Sequence, residues 1–220
     1  MSELVAVMAG AVCVVFAAII ALSAVHTARR NRREHQALQQ WADQHGWTLT
    51  RQPDVDWGRQ LPGGNNHGVS HCFSAVLSGR PVTVAAYSVT DASDGTTTNN
   101  THQHVVTVAA LRRALPPAAV EPRGPVSRLT RALFGAGETA TGHTDFDRAF
   151  RIRAAAGTPA AWVSPELVAA HLAGRVPASW SVRGNELLCH RPGHLQPHYV
   201  PGHAAVILSL ADLLDGRIGS

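Results

Sequence analysis

The chain has 220 residues and a formal net charge of +4, and it contains no lysine, so all 19 of its basic residues are arginines. That absence removes the phosphate-cradling lysine of a P-loop, the kinase strand lysine and the Schiff-base lysine of pyridoxal enzymes, while the length allows one anchor and one ordinary domain. Four arginines stand together at Arg29, Arg30, Arg32 and Arg33; from Glu34 onward fifteen Arg face fourteen Asp and Glu. The rest of the chain is therefore nearly neutral, lacks the basic stripe of a general nucleic-acid binder, and is expected to have no nucleic-acid partner.

Residues 1–3 form a short polar start, and Leu4 to Val25 follows without a charge. As a helix this segment would be about 33 Å long, against a hydrocarbon core of about 30 Å. Eleven of its residues are Leu, Ile, Val or Phe, each contributing roughly −0.3 to −0.6 kcal/mol toward insertion. The spacing predicts a single transmembrane helix over 4–25. The arginine cluster on its C-terminal side predicts an N-terminus outside the cell and a domain on the cytoplasmic face of the cell membrane. A cleaved signal peptide is the competing reading, but it would want a basic start where Glu3 stands and a shorter apolar run.

Residues 26–46 read as an Arg-rich helical stalk, with Leu38, Trp41, Ala42 and His45 at three- and four-residue spacing and Gly46 at the C-terminal cap. The soluble domain is expected over 47–220. It starts with a short strand at Trp47–Arg51 and a Pro-, Gly- and Asn-rich loop from Pro53 to Gly68. Val-rich strands follow at His71–Leu77, Pro81–Val89 and His102–Leu111, with Ser78-Gly79-Arg80 as a hairpin turn and Asp91–Thr101 as a polar loop. Pro116-Pro117 is expected to close this meander. Helices are predicted at Val126–Phe134, after the Ser164-Pro165 start, and at His203–Leu214, with a strand at Phe150–Ala154. Trp180–Arg183 and Leu187–His190 flank Gly184-Asn185 and read as a second hairpin. The fold class is α+β, with a mainly antiparallel sheet and three or four helices.

Histidine is abundant, and its densest group is Cys189, His190, His194, His198 and His203. The residue types suit zinc, yet Pro192, Gly193, Pro197 and Pro201 prevent any helix from placing them on one face. Zinc is thus the alternative, and no cofactor is the expectation. His102 and His104 alternate in a strand and are expected to share an exposed face with each other. His143, Asp145 and Asp147 form the best acid/base cluster, but no nucleophile or oxyanion donor accompanies them, and a capped, charged turn before Phe150 is the favoured explanation. Gly135 to Ala140 satisfies G-x-G-x-x-A but follows a helix-like segment, where a dinucleotide fingerprint must follow a strand. The calcium-like Asp91–Gly95 run fails on alignment, and neither G-x-S-x-G nor H-E-x-x-H occurs.

The run Asp145-Phe146-Asp147-Arg148-Ala149-Phe150-Arg151-Ile152, then Ala160-Ala161-Trp162-Val163 and Ser164-Pro165-Glu166-Leu167, carries a resemblance. So do Val182-Arg183-Gly184-Asn185-Glu186-Leu187 and the Trp-Ala-x-x-x-Gly-Trp element at Trp41 to Trp47. Together they are similar to an uncharacterised, largely actinobacterial family of single-pass membrane-anchored bacterial proteins with no assigned activity. The motif residues themselves read as core: Phe146, Phe150 and Ile152 are spaced for one face of an extended strand, and Trp162, Leu167 and Leu172 for buried helix faces. The resulting expectation is a membrane-tethered, non-catalytic binding or assembly module at the cytoplasmic face, with an unidentified protein partner. The alternatives are a metal-dependent or hydrolytic enzyme and an anionic-lipid-responsive module acting through Arg29 to Arg33.

Overall fold

The structure, a computed structural model, describes residues 2–61, 68–91, 100–123, 139–154 and 162–216, with the side chains of 2–19, 59, 91 and 100 outside that description. The chain divides into two compact units, Met1–His45 and Gly46–Ser220.

The first unit is one helix, α1 (Ser2–His45). Its exposed surface is stitched by pairs four apart: Arg30 Nε meets Glu34 Oε1 at 2.9 Å, and Gln39 Nε2 donates to Asp43 Oδ1 at 2.9 Å. At its end the His45 ring stacks on Trp41, with centroids 4.5 Å apart, and Gly46 takes the left-handed conformation at φ +72° that stops the helix. Among the described residues no helix is long and apolar enough to cross a membrane. Most of the expected span, residues 4–19, lies outside the residues whose side chains are described.

The second unit is an α+β domain around a six-stranded antiparallel sheet. Strands β1 (Thr48–Arg51), β2 (Val69–Leu77), β3 (Arg80–Asp91) and β4 (Asn100–Pro122) form a meander, followed by β5 (Phe150–Ala154) and β6 (Trp180–Pro192). The 23-residue β4 organises everything else. Its first half pairs with β3 (Val84↔Thr107) and its second half with β5 (Val120↔Ile152), while β6 pairs along both halves, from His104↔Pro192 to Val120↔Trp180.

Two expectations fail here. Pro116-Pro117 does not end the meander, because β4 runs through it. The prolines lie where the β4–β6 register shifts, between Leu115 and Ala118, so their missing N–H groups interrupt no ladder bond. Likewise Gly184-Asn185 is not a hairpin turn. Gly184, at φ +62°, pairs with Leu115 at the same irregularity, and Trp180–Pro192 is one bent strand. A third difference is α2 (Thr144–Ala149), a short helix that takes Phe146 out of the extended run, although Phe146 and Ile152 are both buried as expected. The predicted helix at Val126–Phe134 and the Gly135–Glu138 part of the G-x-G-x-x-A match lie outside the described residues.

Strand alternation gives the sheet two apolar faces. One carries Cys72, Ala85, Tyr87, Val106 and Leu188, covered by Trp57 of a 3-10 turn (Asp56–Gln60) and by Leu61, which caps that turn, inside the expected loop. The other carries Phe73, Val82, Val84, Ala109 and Leu187, all buried. Against this face lies α4 (Val200–Leu214), whose Val200, Ala204, Ile207, Leu210, Ala211 and Leu214 are buried at the three- and four-residue spacing of one helical stripe. Buried Arg80 locks α4 to the sheet, reaching Asp212 at 2.9 Å, Asp215 at 2.6 Å and the Ala110 carbonyl at 2.9 Å. The remaining helix, α3 (Pro165–Leu172), starts as expected: Ser164 Oγ accepts from Leu167 N at 3.2 Å. It buries His171 among Phe146, Phe150 and Trp180.

Candidate functional site

Neighbouring residues of a strand point to opposite faces, and this decides the fate of the Cys189–His190 pair. Cys189 and Arg191 face α4, opposite Thr107 and Val105 of β4. Between them, the start of α4 at His203 and Val206, and the segment Val176–Ser179, the structure leaves a cavity of about 370 Å³. Its walls are mainly aliphatic. Val206, 42 % exposed, is one of the few large apolar side chains the domain presents to solvent.

The polar groups of the cavity are neutral in its depth and cationic only at its rim. Burial pushes the Cys189 thiol up to about 11, outweighing its bonds to Thr107 and the influence of Arg191. At neutral pH it is therefore a thiol and neither a nucleophile nor a ready metal ligand. His203 is held below its ordinary value by burial and then by Arg191. The geometry agrees, because Arg191 Nη2 lies 3.2 Å from His203 Nε2 and a guanidinium has no acceptor. The ring nitrogen must accept, so His203 is neutral and Arg191 is oriented by it. Among the described residues Arg191, which is exposed, has no carboxylate partner.

On the other face His190 stands edge to face with His104, their centroids 5.9 Å apart, and His104 lies 6.3 Å from the Tyr87 ring. Burial, then His104, lowers the His190 pKa to about 4; burial, then His102, lowers that of His104. His104 is half-buried rather than on an exposed face as expected, since β4 carries it in beside Tyr87. Its Nδ1 has no hydrogen-bond partner among the described residues. His194 and His198 are exposed, and the His198 ring lies against Tyr199, with centroids 4.0 Å apart and planes tilted by 49°. Among the described residues no group of three or more His, Cys, Asp or Glu side chains converges as a metal site would require.

The acid/base cluster is held by backbone. Asp147 accepts from Thr141 N at 3.1 Å, Thr141 Oγ1 at 2.8 Å and Gly142 N at 3.2 Å. Burial works to raise its pKa, and these bonds together with Arg123 outweigh it, leaving the carboxyl below its ordinary range. Asp145 is exposed, 3.7 Å from Arg148 in an i,i+3 pair, and His143 is exposed at the start of α2. Arg29, Arg30, Arg32 and Arg33 lie exposed on α1.

Sequence reasoning reached Cys189 and His203 but looked for a metal between them. It missed Arg191, Val206 and the Val176–Ser179 wall. Alternation along β4 and β6 carried the signal for Val105, Thr107 and Arg191; nothing local marked Val176–Ser179.

No protein-family model matches the chain, and no curated protein sequence matches it significantly. Among solved structures it is similar to the mycobacterial trehalose monomycolate transport factor A, TtfA. The TM-score is 0.54 at 12% identity, covering 83% of this chain and 95% of that one. At this identity the likeness is one of fold. It is a likeness to an actinobacterial protein, as the sequence resemblance also was.

Proposed function

We propose that this chain is a membrane-tethered, non-catalytic factor that binds and helps assemble a partner in a membrane transport apparatus. On this reading Leu4–Val25 spans the bilayer, and Arg29, Arg30, Arg32 and Arg33 keep the domain on the cytoplasmic face. The observation that carries the proposal is the fold shared with a transport factor along nearly the whole of that protein's chain. Two features of the domain support it. Asp147, the best-placed carboxylate of the acid/base cluster, is engaged by backbone N–H groups of its own turn, and the Cys189 thiol is held protonated. Binding and positioning need neither group activated.

The test uses the full chain in bacterial membranes. Carbonate washing should leave it in the membrane pellet, and protease added to spheroplasts should spare the domain until the membrane is opened. Cross-linking in those membranes should then join it to a membrane protein. Release by carbonate, or digestion in intact spheroplasts, would overturn the tether or its orientation. Stoichiometric zinc in the purified full chain would overturn the non-catalytic reading in favour of a metal-dependent enzyme.

A further inference from the structure

We infer that the cavity between β4, β6, α4 and Val176–Ser179 binds a single medium-length acyl chain, with its carboxylate on Arg191. The volume, about 370 Å³, lies within the range of real ligand sites and near its lower end. At roughly 30 Å³ for a water-sized group it holds about ten to twelve methylenes, which suits one chain and excludes a two-chain lipid. The lining decides the rest of the chemistry. Val105, Val176, Ala178 and Val206 offer aliphatic contact, and the deeper polar groups, Thr107 and Cys189, are bonded to each other and uncharged. A ligand with a polar tail end would leave its hydrogen bonds unmade there, so the buried part must be hydrocarbon.

The rim supplies the opposite preference. Arg191 is a permanent cation without a carboxylate partner among the described residues, and its bond to neutral His203 fixes one edge of the guanidinium while leaving further N–H donors free. A planar carboxylate fits such a fork. Val206 is exposed because the cavity opens beside it, so the site is accessible without any movement of α4. The inference deepens the binding-module reading and rests on it; the two are separable, since the tether is read by carbonate extraction and this site by where a probe attaches.

The experiment is photolabelling of the full chain in membranes with a diazirine analogue of decanoic acid, with adducts mapped by mass spectrometry. Adducts are expected on the peptides carrying Val176–Ser179 and Val206. Unlabelled decanoate should compete about tenfold better than decanol, as loss of one charge-assisted hydrogen-bonding partner implies. Val206→Trp, which fills the cavity from an exposed position, should abolish these adducts. Arg191→Gln should weaken labelling about tenfold and erase the difference between decanoate and decanol. Both residues sit at the surface, so thermal melting of each variant should match that of the unaltered chain; labelling lost only together with folding would overturn the assignment. Adducts confined to residues 4–25 would overturn the site, and equal competition by decanol would overturn carboxylate recognition.

Discussion

His171 makes the domain acid-labile, by an amount that follows from its surroundings. The ring is 3 % exposed and enclosed by Phe146, Phe150 and Trp180, and Trp180 Nε1 donates to its Nε2 at 2.9 Å. The proton of the neutral ring therefore sits on Nδ1, which has no hydrogen-bond partner among the described residues. Burial lowers the pKa from 6.5 to about 4. The folded state thus resists a proton that the unfolded chain accepts, so stability is full above pH 6.5 and is lost as pH falls toward 4, below which the loss levels off. At about 1.4 kcal/mol per tenfold change in proton affinity, the loss is about 3 kcal/mol in all, of which roughly 2.5 kcal/mol is present by pH 4.5. His171→Gln keeps an acceptor for the Trp180 indole and removes the titration. Urea unfolding of the full chain in detergent, followed by tryptophan fluorescence at pH 7 and pH 4.5, measures the difference. The variant should be less stable at pH 7, through imperfect packing, and should recover by roughly 2.5 kcal/mol relative to the unaltered chain at pH 4.5. His190 weakens both proteins equally over the same range and cancels. A gap between the two proteins that stays constant from pH 7 to pH 4.5 would refute the reasoning.

Arg80→Met leaves Asp215 buried without its cation and frees the end of α4; a loss of about 3–5 kcal/mol is expected in urea unfolding. Ser164→Ala removes the hydroxyl that caps α3 and should cost about 1 kcal/mol in the same measurement, with Ser164→Asp close to the unaltered chain. Gly68→Ala places a Cβ 2.7 Å from the Ser88 carbonyl oxygen and against the Tyr87 ring, so the β2–β3 edge must shift. A loss of about 1–3 kcal/mol should follow, with altered near-ultraviolet circular dichroism of Tyr87. On the proposed topology, changing Arg29, Arg30, Arg32 and Arg33 together to Gln should expose part of the domain population to protease in intact spheroplasts, since the charge asymmetry proposed to orient residues 4–25 is gone.

What the sequence made legible depended on how local the cause was. The Ser164 cap, the Gly46 stop and the stripe of α4 are set by a few adjacent residues, and all three were readable. The irregular β6 was not, because Gly184-Asn185 carries the chemistry of a tight turn, and Gly184, left-handed at φ +62°, stays within the strand by pairing with Leu115, far off in sequence. Pro116-Pro117 misled in the same way: proline stops a strand unless the partner's register slips at that point. Trp57 and Leu61, in a stretch that reads as loop by composition, cover one sheet face because tertiary burial outweighs local propensity. For the cavity, sequence gave the residues of two strands by alternation but not the segment that closes them.

The central strand also fixes an order of events on the ribosome. Once Pro122 has emerged, β1 to β4 can pair as successive hairpins, but the edge of β4 that β6 will occupy stays open until Trp180–Pro192 arrives, roughly sixty residues later. At about 5–20 residues per second that edge is uncovered for roughly 3–12 s, a template for strand addition by another nascent chain. The Val176–Ser179 wall, β6 and α4 come still later than most of the sheet, so the domain acquires its cavity and loses its stickiest edge in the same last stage of synthesis.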